Sequence, residues 1–324
     1  MPCSRQASAN SASRDAVRNG QKEPRKGVFV ASLPACHVRD WGRRPNVEIR
    51  PTNGGCGAEV VGADLNTLSK AEVEAILDAH AEYGVVFFRD QRLTPDTQLA
   101  AAERFGPINV NRFFSRVAEQ PRVAEVLKEA HHSSNIGGGW HTDHSYDQLP
   151  AMGSMLYAID VPTHGGDTMF ANMYKAYESL SEGLKRTLEG LSAVHSSRHV
   201  FGPGGYHEQR RDGRYDNAEQ ATQDAVHPVV IRHPRSGRPA LYVNRAFTLY
   251  INGWTVEESQ PLLQYLYGVG ARPEHTCRFR WEPGSVAFWD NRATWHYALD
   301  DYPGETRRMH RVTIDGGELE AYAA

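Results

Sequence analysis

Cysteine is scarce and unpaired in motif. Cys3, Cys36, Cys56 and Cys277 are the four in 324 residues, and none stands in a C-x-x-C arrangement, which argues against a disulfide framework or a thiolate zinc site. Long apolar runs are missing too: stretches such as Val85-Val86-Phe87-Phe88 fall far short of the roughly 20 residues of a membrane span. Neither sign of charge dominates, and a formal net charge of -3 gives no electrostatic reason to expect nucleic acid as a partner. No apolar h-region stands near the N-terminus, so the reducing cytoplasm is the expected compartment. No internal repeat is visible. These absences leave a globular protein with a small-molecule partner, and a homo-oligomer is compatible with the sequence.

Residues 1–46 contrast with the rest. Nine basic side chains face three acidic ones there, so the other 278 residues carry nine more acidic than basic groups. A polar, basic stretch without apolar periodicity cannot bury enough surface to offset its ordering entropy and is expected to be a disordered tail. Its Ser and Arg content also suits an organelle-targeting peptide. Residues 47–317 read as one domain without an internal linker, followed by a short C-terminal tail, 318–324. Ser69 and Glu72 form a capping box ahead of Val73, Ile76, Leu77 and His80, and Gly84 closes that helix. Val85 to Arg89 reads as a buried strand. Thr94-Pro95 opens a second helix that Gly106 closes, and a third is expected over Ala176–Leu191. Thr255 and Glu258 open a fourth, which Pro261 should shorten or kink. Val226–His233, Leu241–Asn244, Arg278–Trp281, Ser285–Trp289 and Arg308–Ile314 are rich in β-branched and aromatic residues and punctuated by Gly and Pro. The expected fold is therefore mainly β, an antiparallel core with flanking helices.

Among fifteen histidines, two stand out by their neighbours. In Trp140-His141-Thr142-Asp143-His144, an extended strand would put His141 and Asp143 on one face and point His144 the other way. An isolated H-x-D pair is common; a third ligand makes it informative, and His296 follows the apolar run Ser285–Trp289. Two imidazoles and one carboxylate can occupy one face of an octahedral ion and leave three positions open, the facial triad of non-haem Fe(II) oxygenases. Zinc on the same three residues would be tetrahedral with one site for water, as in a hydrolase. Iron of this kind takes electrons from a co-substrate, and 2-oxoglutarate needs a cation for its distal carboxylate. Arg307 offers one, because a guanidinium matches a carboxylate with two parallel hydrogen bonds. On a strand from Thr306 to Ile314, Arg307 and Arg311 share a face. Buried arginines call for anions, so Arg307 is assigned to the co-substrate and Arg311 to the substrate, against the alternative of two solvated edge charges.

With these residues in place the sequence resembles the taurine dioxygenase and 2,4-dichlorophenoxyacetate dioxygenase family of Fe(II)/2-oxoglutarate enzymes. The likeness runs from about Val47 to Gly316. Its motifs include Gly-Ala-Asp-Leu (62–65), Val-Phe-Phe-Arg-Asp-Gln (86–91), Arg-Phe-Gly (104–106), Trp-His-Thr-Asp (140–143), Gly-Gly-Asp-Thr (165–168), Trp-Asp-Asn-Arg (289–292), His-Tyr-Ala (296–298) and Met-His-Arg (309–311). The resemblance implies a double-stranded β-helix, or cupin-like jelly roll. It implies His141, Asp143 and His296 as iron ligands and catalytic centre, Arg307 with Thr168 as holders of 2-oxoglutarate, and Arg311 at the acidic group of the substrate. It also implies that O2 and 2-oxoglutarate are consumed to give succinate and CO2 as a small anionic substrate is hydroxylated, with C–O or C–S cleavage where the attacked carbon bears oxygen or sulfur.

Departures from the taurine-specific pattern bear on the substrate. Asn111 and Phe114 stand where those enzymes have a histidine and a tyrosine, and Gly137 stands where they have an asparagine. Phe113, Phe114, Phe201, Phe247 and Tyr250 are available to line an apolar pocket. The expected substrate is a carboxylate, sulfonate or sulfate ester with an apolar or aromatic body. Desaturation or cyclisation by the same iron chemistry is an open alternative, and a zinc hydrolase a more distant one.

Overall fold

The computed structural model describes residues 47–52, 54–210 and 214–323; the expected tail, 1–46, lies outside them. Ten strands frame the interior: β1 (Glu48–Pro51), β2 (Ala58–Val61), β3 (Val85–Phe88), β4 (Gln120–Lys128), β5 (Gly153–Asp160), β6 (Thr168–Asn172), β7 (Thr276–Phe279), β8 (Val286–Asp290), β9 (Thr294–Ala298) and β10 (Arg307–Ile314). The larger sheet runs β1-β2-β3-β8-β5-β10-β4, continues to Arg116–Val117, and takes Ile108–Asn109 beside β10. The smaller sheet is β7-β6-β9. Every pairing in these two sheets is antiparallel except that of β2 with β3. The chain forms the jelly roll expected of it.

Aromatic side chains join the two sheets. The Phe87 ring of β3 stacks 4.2 Å from Phe279 of β7 and lies 5.6 Å from Phe170 of β6, which in turn is 5.9 Å from Trp289 of β8. Each such ring contributes about 1.5–3 kcal/mol by leaving water, so this layer fixes the spacing of the sheets and of the residues projecting between them. The outer face of the larger sheet is covered by α1 (Lys70–Tyr83) and α2 (Pro95–Glu103). The first has the capping box read from Ser69 and Glu72 and ends on Gly84 at φ 78°, a left-handed conformation that glycine adopts without strain. The second opens at Thr94-Pro95 but ends at Glu103, short of Gly106.

Elsewhere local capping and burial redraw the expected boundaries. The single helix expected over Ala176–Leu191 is two, α3 (Met173–Glu178) and α4 (Glu182–Leu188), because Ser181 caps a new helix by accepting the Leu184 amide. Conversely α5 (Val256–Gly270) is not cut short and continues past Pro261. Pro261 is exposed and sits early in the helix, so the carbonyl it leaves unpaired faces water. The strand expected over Val226–His233 divides into Asp224–Pro228 and Val230–Arg232, which belong to different sheets. Leu241 ends its strand, and Asn244 instead caps a turn by accepting the Phe247 amide. The C-terminal segment set apart as a tail is stitched to the domain: Glu320–Ala321 pairs with Val230–Arg232.

Candidate active site

His296 sits on β9 and His141 faces it across an isolated two-residue bridge: each backbone N–H donates to the other's carbonyl, at 3.1 and 2.8 Å. Asp143 does not lie on the extended strand expected for it. The backbone turns after Thr142, whose hydroxyl donates to the Asn291 carbonyl at 2.6 Å, and His144 takes φ 60°. A turn, not strand alternation, brings the carboxylate to the two imidazoles. His144 is not part of the cluster, as expected; its ring nitrogens go to Asn111 and Asp147. One nitrogen each of His141 and His296 and one oxygen of Asp143 lie within 4.8 Å of one another.

The residues behind the cluster set its protonation. His141 Nδ1 lies 2.8 Å from the Gly139 carbonyl and donates to it, which turns Nε2 toward Asp143 Oδ1, 3.8 Å away. Gly137 belongs to the same run, at φ 78°, and a Cβ there would come within 3.3 Å of the His141 ring. Burial would raise the Asp143 carboxyl, but Arg311, His296 and His141 outweigh it and hold it well below the usual carboxylate range. Burial, with the neighbouring His141 second, pushes His296 well below the usual histidine range, so His296 is a neutral donor. Asp143 Oδ2 accepts from Ser154 Oγ at 3.3 Å and has Arg311 Nη2 at 2.9 Å, in charge contact without hydrogen-bond alignment. Its Oδ1 carries no hydrogen bond among the described residues. Two imidazoles, each with a nitrogen turned inward, and one ionised carboxylate on one side of an open cavity fit a divalent ion that keeps positions vacant.

A second group, Glu129, His131 and His132, also brings possible ligands together on the surface. There His132 Nδ1 accepts the Glu129 amide, so Nε2 bears the proton and no lone pair is left for a metal.

A cavity of about 850 Å³ opens beside the buried cluster. Arg307 and Arg311, both on β10 and both buried, line it. Among the described residues Arg307 Nε and Nη2 have no hydrogen-bond partner, and burial lowers the pKa of this guanidinium. A desolvated, unpaired cation is costly, and a bound carboxylate removes the cost. Thr168, at the start of β6, also lines the cavity; its Oγ1 accepts the Trp281 indole N–H at 3.0 Å, which leaves its own proton to donate. The residues present thus fit a dicarboxylate with one end at Arg307. A buried ion pair supports the site from behind: Asp290 takes Arg292 Nε and Nη2 at 2.8 and 2.7 Å and His233 Nε2 at 2.9 Å. That fixes the turn whose Asn291 carbonyl holds Thr142.

The outer cavity is aromatic. Asn111, Phe114, Phe201 and Phe247 line it as expected, but Phe113 does not: it stacks behind Phe201 at 4.5 Å. Tyr250 does not line it either, being on a separate sheet. Tyr146, His199, Arg245 and Tyr215 were not singled out in the sequence, yet all reach the cavity. Three stand on loops or short helices without periodicity, and Tyr146 lies only three residues beyond Asp143.

Residues 48–313 match the family model described as "Taurine catabolism dioxygenase TauD, TfdA family". Among characterised relatives, an alkylsulfatase of Acinetobacter baylyi is 35% identical over 83% of this chain and 85% of its own length. An alpha-ketoglutarate-dependent sulfate ester dioxygenase of Pseudomonas putida is 35% identical over 83% and 90%. The (S)-phenoxypropionate/alpha-ketoglutarate dioxygenase of Sphingobium herbicidovorans is 33% identical over 84% and 96%. Among solved structures, a taurine dioxygenase from Burkholderia xenovorans superposes with a TM-score of 0.70 at 34% identity, covering 86% of this chain and 97% of that one. A protein called AAD-2, solved with Mn(II) and N-oxalylglycine, gives the same TM-score at 27% identity, covering 84% and 98%. The chain belongs to the TauD/TfdA family and is a 2-oxoglutarate-dependent, iron-using dioxygenase.

Proposed function

We propose that His141, Asp143 and His296 hold the Fe(II), that Arg307 and Thr168 take the distal carboxylate of 2-oxoglutarate, and that Arg311 and Asn111 face the acidic group of the substrate. The observation that carries this reading is Arg307: a buried guanidinium with two nitrogens that have no hydrogen-bond partner among the described residues, in the same cavity as a His-Asp-His cluster. When bound, Fe(II) with 2-oxoglutarate and O2 supplies the oxidising power to replace a substrate C–H by C–OH, with succinate and CO2 released. The protein positions and neutralises. Asp143 stays anionic and offers Oδ1, while Arg311 balances its Oδ2. Arg311 has further N–H groups, so it can pair with a substrate anion while remaining beside Asp143.

Phe114, Phe201 and Phe247 favour a substrate whose body is apolar or aromatic, and excluding water there strengthens each charge contact deeper in. The relatives named for sulfate esters and for phenoxypropionate fit the same description, an anion on an apolar body. We assign a sulfate ester as the leading class; hydroxylation at the carbon bearing oxygen then collapses to a carbonyl and frees sulfate. We assign the cytoplasm as the protein's compartment, a reading supported by Cys56 and Cys277 being free thiols; among the described residues no helix is long and apolar enough to cross a membrane.

Anaerobic protein with Fe(II) and 2-oxoglutarate should show a weak visible charge-transfer band that shifts when hexyl sulfate is added. No band in iron-loaded wild-type protein overturns the ligand assignment; a band that no sulfate, sulfonate or phenoxy carboxylate shifts overturns the substrate class.

A further inference from the structure

Beside the cavity, and outside the cluster already described, four polar side chains form one continuous chain. Asn111 Nδ2 lies 3.4 Å from His144 Nε2, His144 Nδ1 lies 2.9 Å from Asp147 Oδ2, and Arg112 Nη2 donates to Asp147 Oδ1 at 2.6 Å. Asn111, His144 and Asp147 are all buried.

The direction of every hydrogen bond in this chain follows from its ends. Asn111 Oδ1 accepts two backbone amides, those of Phe113 at 2.9 Å and Phe114 at 3.1 Å. The opposite flip of the carboxamide would set an NH2 group against two N–H donors, so the flip is fixed. At the far end Asp147 is a carboxylate: burial would raise it, but the His144 hydrogen bond and Arg112 hold it below its ordinary range. A carboxylate only accepts, so His144 carries its proton on Nδ1 and offers the Nε2 lone pair to one N–H of Asn111. The second N–H of Asn111 has no partner among the described residues, and Asn111 lines the cavity. His144 stands at φ 60°, in the left-handed region that residues other than glycine seldom occupy and that persists where the surroundings over-determine it.

We propose that His144, backed by Asp147 and Arg112, is a positioning residue that holds the Asn111 carboxamide so that its second N–H serves as a neutral donor to the acidic group of the substrate. The proposal rests on the oxygenase reading above and deepens it: Arg311 supplies charge, and Asn111 supplies direction. A group that acts through Asn111 has nothing left to contribute once Asn111 is gone, which separates positioning from a general structural role.

The test uses full-length protein with Fe(II) and 2-oxoglutarate under anaerobic conditions, and hexyl sulfate, hexanesulfonate and phenoxypropionate as probes of the band shift. Asn111→Ala and His144→Phe should each weaken binding of the probe that shifts the wild-type band by about tenfold or more. The double variant should bind no more weakly than Asn111→Ala alone. His144→Gln, which can accept from Asn111 and donate to Asp147, should recover most of the loss. Affinity for 2-oxoglutarate should be unchanged throughout. Asp147→Asn, four residues from Asp143, gives the same direction by a route independent of whether His144→Phe folds. Multiplying effects in the double variant, or unchanged probe binding in Asp147→Asn and His144→Phe, overturns the proposal while leaving the oxygenase reading intact. A missing wild-type band, or one that no probe shifts, overturns the reading and the proposal with it.

Discussion

The two ends of the cavity are built differently. At the inner end His296, Arg307, Arg311 and Thr168 stand on strands of the two facing sheets, and Asp290, Arg292 and His233 brace the turn behind them with a fully buried ion pair. At the outer end Phe201, His199, Arg245 and Phe247 lie on a short helix and connecting loops outside those sheets. The inner end is specified by polar groups that each have one workable arrangement; the outer end by apolar contact, which tolerates many. The proposed chemistry and the proposed contacts with the substrate body thus stand on separate supports, and perturbations of the two ends should separate in the same way.

The largest effect is expected at the proposed metal ligands. Replacing His296 by alanine removes one of three donors and should cut 2-oxoglutarate-dependent succinate formation about a thousandfold or more, since the metal supplies several kcal/mol to the barrier; coupled succinate and O2 assays check it. Next comes Arg307→Leu. Loss of a charge-assisted pair of hydrogen bonds should raise the apparent KM for 2-oxoglutarate about a hundredfold with kcat at saturation largely kept, and Arg307→Lys should recover only part, because an ammonium cannot make the bidentate contact. An Arg307→Leu enzyme whose substrate KM moved as much as its 2-oxoglutarate KM would erase the distinction between the ends.

How much of this was legible in the sequence follows the same division. That His141, Asp143, His296, Arg307 and Arg311 come together at one cavity could be read ahead, because the metal and carboxylate binding proposed for them restricts the residue types, and because β10 keeps Arg307 and Arg311 on one buried face over five residues. Even there the reason for Asp143 differed, a turn through His144 taking the place of strand alternation. The outer wall was half legible. Phe113 and Phe114 are neighbours and both aromatic, yet only Phe114 faces the cavity, since the Asn111 side chain ties both their amides into a turn and so decides which ring points inward. His199 and Arg245 reach the cavity from loops set by tertiary packing, for which no spacing rule exists. Pro261 and the break at Ser179–Ser181 show the same limit: propensity marks where a helix can end, and exposure or a competing cap decides whether it does.

A smaller effect separates the brace from the chemistry. Burial pushes His80 down to about 4, against the pull of Asp290 3.4 Å away. A histidine depressed in the folded state favours the native form fully above its unfolded value near 6.5, and the advantage is lost as pH falls through about 4. Over that window the group removes about 3 kcal/mol of stability. Thermal melts of metal-free protein should show the loss, and His80→Phe, which keeps the stack 4.1 Å from Phe288, should flatten the slope by about one proton. Identical slopes in the two proteins would mean that the other buried histidines carry the acid sensitivity.

The smallest effect should come from the outer wall, and it is the one that most directly probes the comparison. Phe201 stacks on Phe113 at 4.5 Å with its own ring on the cavity. Truncation to alanine removes apolar surface worth about 1.5–3 kcal/mol, but Phe113 remains to cover part of the gap. An alkyl sulfate should therefore bind about tenfold more weakly, at the lower end of that range, with 2-oxoglutarate affinity and the Fe(II) charge-transfer band unmoved. Lengthening the alkyl chain should restore affinity in Phe201→Ala, because the added methylenes fill the space the ring vacated, each contributing about 0.8 kcal/mol. If chain length has the same effect on the variant as on the wild type, the substrate body does not lie against Phe201, and selectivity must be sought on the His199 and Arg245 side of the mouth.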